Sequence, residues 1–200
     1  GRAYEGIGCL ETGLRLAQAH NLLETELRAR INLGGPLESR DPRMSLEVSR
    51  AGVEQARRYG HRQVLSMLAG NASSSAIQTG DWDWARAELQ AVLDEAPGDA
   101  ERQVLLAFVA QLDVESGRDA EVVIADVDAW LGARVADEPW LESNVLANRA
   151  LGALQNGDLA ASASLLLASG RRDPYNAVIL GADAGLYACL ARDDVAAAEC

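Results

Sequence analysis

Apolar residues recur at helical spacing along most of the chain. One series runs Trp82, Ala85, Leu89, Val92, Leu93 and Ala96. A second runs Trp140, Asn144, Ala147, Leu151 and Leu154, and a third Ile124, Val127 and Leu131. Steps of three and four set each series on one face of a helix. The stretch from Val104 to Leu112 is apolar nearly all round, the pattern of a helix packed on several sides. No sustained two-residue alternation of strand type occurs. The punctuation agrees. Asp41-Pro42 and Asp173-Pro174 each combine an N-cap acceptor with Pro at the first helical position, and Glu138-Pro139 offers the same Pro start. Gly80-Asp81 and Gly157-Asp158 each set a helix-ending Gly beside a helix-starting Asp, and Pro97-Gly98-Asp99 stops one helix and opens the next. These marks predict helices over 3–19, 22–33, 43–59, 62–79, 82–95, 99–116, 119–134, 140–156, 158–169 and 174–191, with another beginning after 193.

The turn signals repeat. Gly80-Asp81, Gly117-Arg118-Asp119, Gly157-Asp158 and Arg192-Asp193-Asp194 follow one another at 37, 40 and 35 residues. Such a period marks stacked helix pairs, because one pair cannot cover its own apolar face and its neighbours can. Gly80-Asp81-Trp82-Asp83-Trp84-Ala85, followed by Leu89, Val92 and Pro97, resembles the second half of a tetratricopeptide repeat. Gly157-Asp158-Leu159, Leu166 and Pro174 keep the spacing, Gly to Pro being 17 residues both times. Three departures mark the units as degenerate. Ser162 stands for the packing Ala. In the unit at Gly117, Val122 stands where Ala should be and no Pro follows. The expected aromatic pair is missing before Gly80, where Ala69, Ser73 and Ala76 stand. The resemblance covers residues 62–200 by motif and 1–61 by helical pairing only.

The run Ala29-Arg30-Ile31-Asn32-Leu33, then Asp41-Pro42-Arg43, then Gly52 to Gly60, then the Gly-Asp-Trp turn, is similar to C-terminal helical-repeat regions of large bacterial regulators. Those proteins carry a signal-transduction NTPase module, often joined to a nucleotide cyclase or a LuxR-type DNA-binding domain. The resemblance implies that ATPase and output chemistry lie outside this chain. A start at Gly1 without Met and a stop at Cys200 within a helical pattern fit the expectation of a segment, truncated at its C-terminal end.

Composition sharpens this picture. Among 200 residues there are 36 Ala, 28 Leu, 18 Arg and no Lys. The absence of Lys excludes P-loop, kinase-type and Schiff-base lysine chemistry. Abundant Ala and Leu favour helix, and Ala suits close helix contacts. Arg as the sole strong base, with so much Ala, hints at a GC-rich bacterial genome. The formal charge of -12 argues against nucleic acid as a partner of this segment. It reads as a solvated acidic surface or, more sharply, as an acidic groove for a basic partner. No apolar run is long enough to span a bilayer and no signal peptide is visible, so the expected location is a reducing cytoplasm. Cys9, Cys189 and Cys200 have no CxxC spacing, and Cys9 and Cys189 read as small buried hydrophobes.

Catalytic motifs are missing. Gly6, Gly8 and Gly13 do not make GxGxxG and read as small residues at helix contacts, as do Gly181 and Gly185. His20 and His61 belong to no HExxH and read as capping or exposed residues. Ser73-Ser74-Ser75 lies in a predicted helix. The expectation is no enzyme, no metal and no cofactor. By the tetratricopeptide resemblance, the first helix of each pair lines a groove. That makes Asn71, Ser74 and Gln78, and again Asn144, Asn148 and Gln155, candidate binding residues. Their amides would clamp a peptide backbone; the plainer reading is that they face water. Trp82 fits an inter-helix seam. Trp84 is a second core contact or, as a candidate, an exposed anchor for a partner.

The expected fold is all-α, a superhelical array of antiparallel helix pairs of tetratricopeptide-like α-solenoid type, with 1–61 as degenerate N-terminal pairs and 62–200 as repeats. The expected function is a non-catalytic protein-interaction or regulatory segment of a larger signalling ATPase or transcriptional regulator. It would bind a protein, a peptide or the parent chain's own NTPase domain. The alternative is a small-ligand-sensing repeat domain of a transcriptional activator.

Overall fold

A computed structural model describes residues 3–38, 40–95, 98–135, 141–173 and 184–191. All regular structure among them is helical, as expected. The helices are α1 (Ala3–Ala19), α2 (Leu23–Glu38), α3 (Pro42–Tyr59), α4 (Arg62–Thr79), α5 (Trp82–Asp94), α6 (Asp99–Glu115), α7 (Glu121–Gly132), α8 (Glu142–Gln155) and α9 (Leu159–Arg172). A further helix, α10, covers 184–190. The Pro starts at Pro139 and Pro174, the stop at Pro97, the seam residues Ala96 and Trp140, Gly181, Cys200 and the helix after 193 lie outside the described residues.

The predicted end of α2 at 33 is corrected: the helix continues through Pro36 to Glu38. Proline removes one helical hydrogen bond and disfavours this position. Tertiary contacts offset the loss. Leu37 is buried with Ile7 and Leu33, the Ser45 hydroxyl donates to the Gly34 carbonyl at 3.0 Å, and Asn71 Nδ2 donates to the Ile31 carbonyl at 3.2 Å.

One turn recurs four times. Gly60, Gly80, Gly117 and Gly157 all have φ between 71° and 83°, the left-handed region open to glycine. In each, the residue after the Gly donates its N–H back into the last helical turn: His61 to Ala56 O, Asp81 to Ala76 O, Arg118 to Asp113 O and Asp158 to Ala153 O, at 2.7–2.9 Å. Each therefore satisfies carbonyls that a helix end leaves open. The start-caps divide. Asp41 and Asp158 accept the N–H of Met44 and of Ala161, both at 2.9 Å. Asp81 does not cap α5; its carboxylate takes the Thr79 hydroxyl at 2.7 Å instead.

The chain forms two compact units, divided between Leu112 and Asp113. The motif boundary expected at 61/62 falls inside the first, at the turn between the closely packed α3 and α4. In the first unit α4 is the enclosed element. Leu65, Leu68, Ala69, Ala72, Ala76 and Ile77 bury most of its circumference in a core shared with Leu27, Val53, Leu89 and Leu105. Two glycines let its neighbours close in. A Cβ at Gly52 would strike Leu68, and one at Gly70 would strike the Phe108 ring. Gly6, Gly8 and Gly13, expected at such contacts, instead face open space. The stretch Val104–Leu112, expected to pack on several sides, is buried or half-buried from Leu105 to Leu112, and Val104 alone in it is exposed.

The second unit packs α7 on α8 and α8 on α9. Among its described residues Ala150, Leu166 and Ala184 form one apolar cluster and Ala163 and Ala188 another, and Ile124, Val127, Leu131, Leu141 and Val145 are also buried. The mismatch at Val122 has a structural origin. Helix α5 starts two residues after its preceding Gly and so does α9, but α7 starts four after Gly117. The two extra turn residues leave Val122 81% exposed and bring Ile124 and Leu131 to the buried positions.

Candidate functional site

The groove candidates of α4 come together on one side of that helix, facing α2. Asn71 Nδ2 donates to the Ile31 carbonyl at 3.2 Å, Ser74 Oγ donates to Glu38 Oε1 at 2.6 Å, and Gln78 Nε2 donates to the same oxygen at 2.9 Å. Steps of three and four residues align all three on one helical stripe. The stripe is engaged inside the fold. It fastens α4 to the last turns of α2 and leaves only Gln78 exposed.

On α8, Asn148 is buried. Its Nδ2 donates to the Ile124 carbonyl at 2.9 Å, and its Oδ1 has no hydrogen-bond partner. Asn144, one turn earlier, is half-buried. Gln155 closes the N-terminal end of α7: its Oε1 accepts the Ala120 N–H and its Nε2 donates to Asp119 Oδ1, both at 2.9 Å. The Glu121 N–H and the Gln155 amide hold the Asp119 carboxyl below the usual carboxylate range. Asn71 and Asn148 thus do one job in two units, each tying a helix to a neighbour's backbone carbonyl. Buried serines extend it. Ser75 donates to Ser45 Oγ at 2.8 Å, Ser162 to the Ala150 carbonyl at 3.0 Å and Ser169 to the Ser143 carbonyl at 2.8 Å.

Of the two tryptophans, Trp84 takes the core place that was one of its two readings, and the seam expected for Trp82 is corrected. Trp82 is exposed, with its indole N–H donating to the Ile77 carbonyl at 2.7 Å. Trp84 is half-buried against the core and carries the Arg50 guanidinium 3.9 Å above its ring. A cation over an aromatic face is favourable. Trp84 is therefore a packing residue, and Trp82 is the indole at the surface.

Sequence reasoning missed one polar cluster. Glu26 is buried among α1, α2 and α3, accepting from Gln18 at 3.1 Å, Arg30 at 2.9 Å and Gln55 at 2.9 Å. Arg30 continues to the Val48 carbonyl at 3.1 Å. Burial pushes the Glu26 carboxyl up, but the hydrogen bonds from Gln55, Arg30 and Gln18 outweigh it and hold it below its ordinary value. The i,i+4 spacing of Glu26 and Arg30 was the available signal; Gln18 and Gln55 gave none.

The second unit carries an open cleft of about 690 Å³ between the end of α6, the Gly117 turn, the end of α8 and α10. Val114, Leu154, Leu186 and Tyr187 supply its apolar wall, and Glu115, Asp119 and Gln155 its polar one. Among the described residues no cluster of three or more His, Cys, Asp or Glu is placed to hold a metal ion, and no helix is long and apolar enough to cross a membrane. Cys9 and Cys189, expected to be buried, are both exposed. His61 occupies the start of α4 without a side-chain cap bond, and His20 is exposed.

Comparison with known proteins names no relative: no family model, no curated protein and no solved structure matches the chain. The chain is an all-helical protein built on small-residue seams, and its functional reading rests on its own residues.

Proposed function

We propose that this chain is a non-catalytic, tetratricopeptide-like α-solenoid segment that binds a protein or peptide within a larger bacterial signalling ATPase or transcriptional regulator. One observation carries the reading: from α4 to α9 the same left-handed Gly turn ends alternate helices, α4, α6 and α8, while in the region before residue 62 it also ends α3. Recurrence of one turn at a fixed place in each helix pair is what a repeat requires. Two features support it. Helices α1 to α5 pack consecutively, as do α7 to α9, and α2 also packs on α4. The serines and amides at the seams hold shape and leave recognition to the open surface.

Small-angle scattering tests the array. A globule of this length has a radius of gyration of about 16 Å, and stacked pairs are expected to exceed it clearly. A value at the globular figure overturns the solenoid. Selection of random peptides on the purified chain tests binding: related sequences enriched over a denatured control are expected, and none would overturn the interaction reading. The regulator context predicts an NTPase module in the reading frame that encodes this segment. A compact apolar pocket with convergent polar groups would favour the ligand-sensing alternative, and an open groove such as the cleft described in the second unit counts against it.

A further inference from the structure

The cleft of the second unit has a definite electrostatic character. Two helix C-termini converge on it, those of α6 and α8, and neither has a basic residue in its last turn. A helix C-terminus carries about half a negative charge. The Asp119 carboxylate adds to it and the Glu115 carboxylate lies in the same lining, where Arg118 is the one cation among the described residues. The surrounding unit, residues 113–200, holds 6 Arg against 15 Asp and Glu, a formal charge of -9. Beside this negative end lies apolar surface: Leu154, Tyr187 and Leu186, which is 55% exposed. The geometry points to a docking site for a short basic, apolar segment of a partner protein. An Arg or Lys of that segment sits between the two helix ends, and a flanking aliphatic side chain covers Leu154 and Leu186. The proposal rests on the peptide-binding reading and names the chemistry of its partner. A cleft with this field also rejects acidic segments, so the same feature that attracts also discriminates.

The test is a random-peptide display selection on the intact chain, followed by fluorescence anisotropy of the enriched peptides. Sequences with Arg or Lys beside an aliphatic residue are expected to dominate, and their binding should weaken with added salt. Leu186→Arg is expected to weaken them by about tenfold or more, since it places a like charge in the cleft. Leu16→Arg is the control: Leu16 is on α1 of the first unit, 56% exposed and outside the cleft lining, and binding should hold within about twofold. Both positions are exposed, and circular dichroism checks that both variants keep their helicity. Enrichment of acidic or uncharged peptides, or equal losses in the two variants, overturns the cleft assignment and leaves the interaction reading standing. An absence of enriched peptides overturns both.

Discussion

The two units use the same kind of seam on different foundations. In the first, the Asn71 bond between α4 and α2 lies beside a large apolar core in which Leu68, Leu89, Leu105 and Leu112 are wholly enclosed. In the second, among the described residues, the equivalent Asn148 bond stands beside buried Ile124, Val127, Leu131 and Val145, and the serine bonds of α9 stand beside small clusters built mainly on Ala. A buried Leu contributes about 1.5–3 kcal/mol, whereas an internal hydrogen bond contributes a net of about 1 kcal/mol. The first unit is therefore held by burial. Around α9 of the second unit, where the described core is mostly Ala, directed bonds to backbone and close approach of small residues carry a larger share.

The largest expected effect tests this directly. Leu68→Ala empties a site with no solvent exposure and should cost about 3–5 kcal/mol, while Leu166→Ala, at the edge of a small cluster, should cost about 2–3 kcal/mol. Chemical denaturation followed by circular dichroism measures both. Equal losses would remove the distinction between the units.

Glycine substitutions give a contrast in sign. Gly70→Ala drives a methyl group into the Phe108 ring and should destabilise by about 1–3 kcal/mol. Gly152→Ala meets only Ile124 Cγ2 at 3.6 Å, an ordinary contact. It should stabilise α8 by up to about 1 kcal/mol through helix propensity. Thermal melts of the two variants should move in opposite directions. A shared direction would mean that the second unit is packed as tightly as the first.

How these seams show in the sequence differs by residue. The helices were legible, because their apolar spacing and their Gly and Asp punctuation are local properties of the chain. The end of α2 was not, because Leu37 burial and the Ser45 and Asn71 bonds that keep Pro36 helical come from α1, α3 and α4. The Val122 position misled because two added residues in one turn shift every later position of α7. Asn71, Ser74, Asn148 and Gln155 were singled out as polar groups on helical faces. Sequence spacing placed them on the right helices but carried no information on which neighbour they meet. The cleft was not legible at all, since it joins residues near 115, 155 and 186.

A smaller effect is expected at the recurring turn. Gly80→Ala and Gly157→Ala each force a left-handed conformation on an L residue, at about 1–2 kcal/mol. With the open space around both glycines, no clash adds to that figure. The two losses should therefore match, although the units around them differ, and equilibrium denaturation of the pair reads this. A much larger loss at Gly157 would place the second unit's stability in its turn and not in its core.

The smallest effect is proton linkage, confined to the acid side. Glu26 in the first unit and Asp119 in the second both have carboxyls held below their ordinary values. A group whose folded pKa is depressed contributes stability above its unfolded pKa and loses it as pH falls through the folded one. The window therefore opens near pH 4, about where free carboxylates titrate, and extends below it. Glu26→Gln should flatten the fall in stability below that pH, because the substituted chain has no charge to lose there. Asp119→Asn should do so less, since Asp119 stands in solvent and its amide replacement can still accept the Glu121 N–H. Urea denaturation at stepped pH values measures both slopes. If Glu26→Gln left the acid slope unchanged while Asp119→Asn flattened it, the buried cluster joining α1, α2 and α3 would not be what acid disrupts, and the surface cap of the second unit would be the more acid-sensitive element.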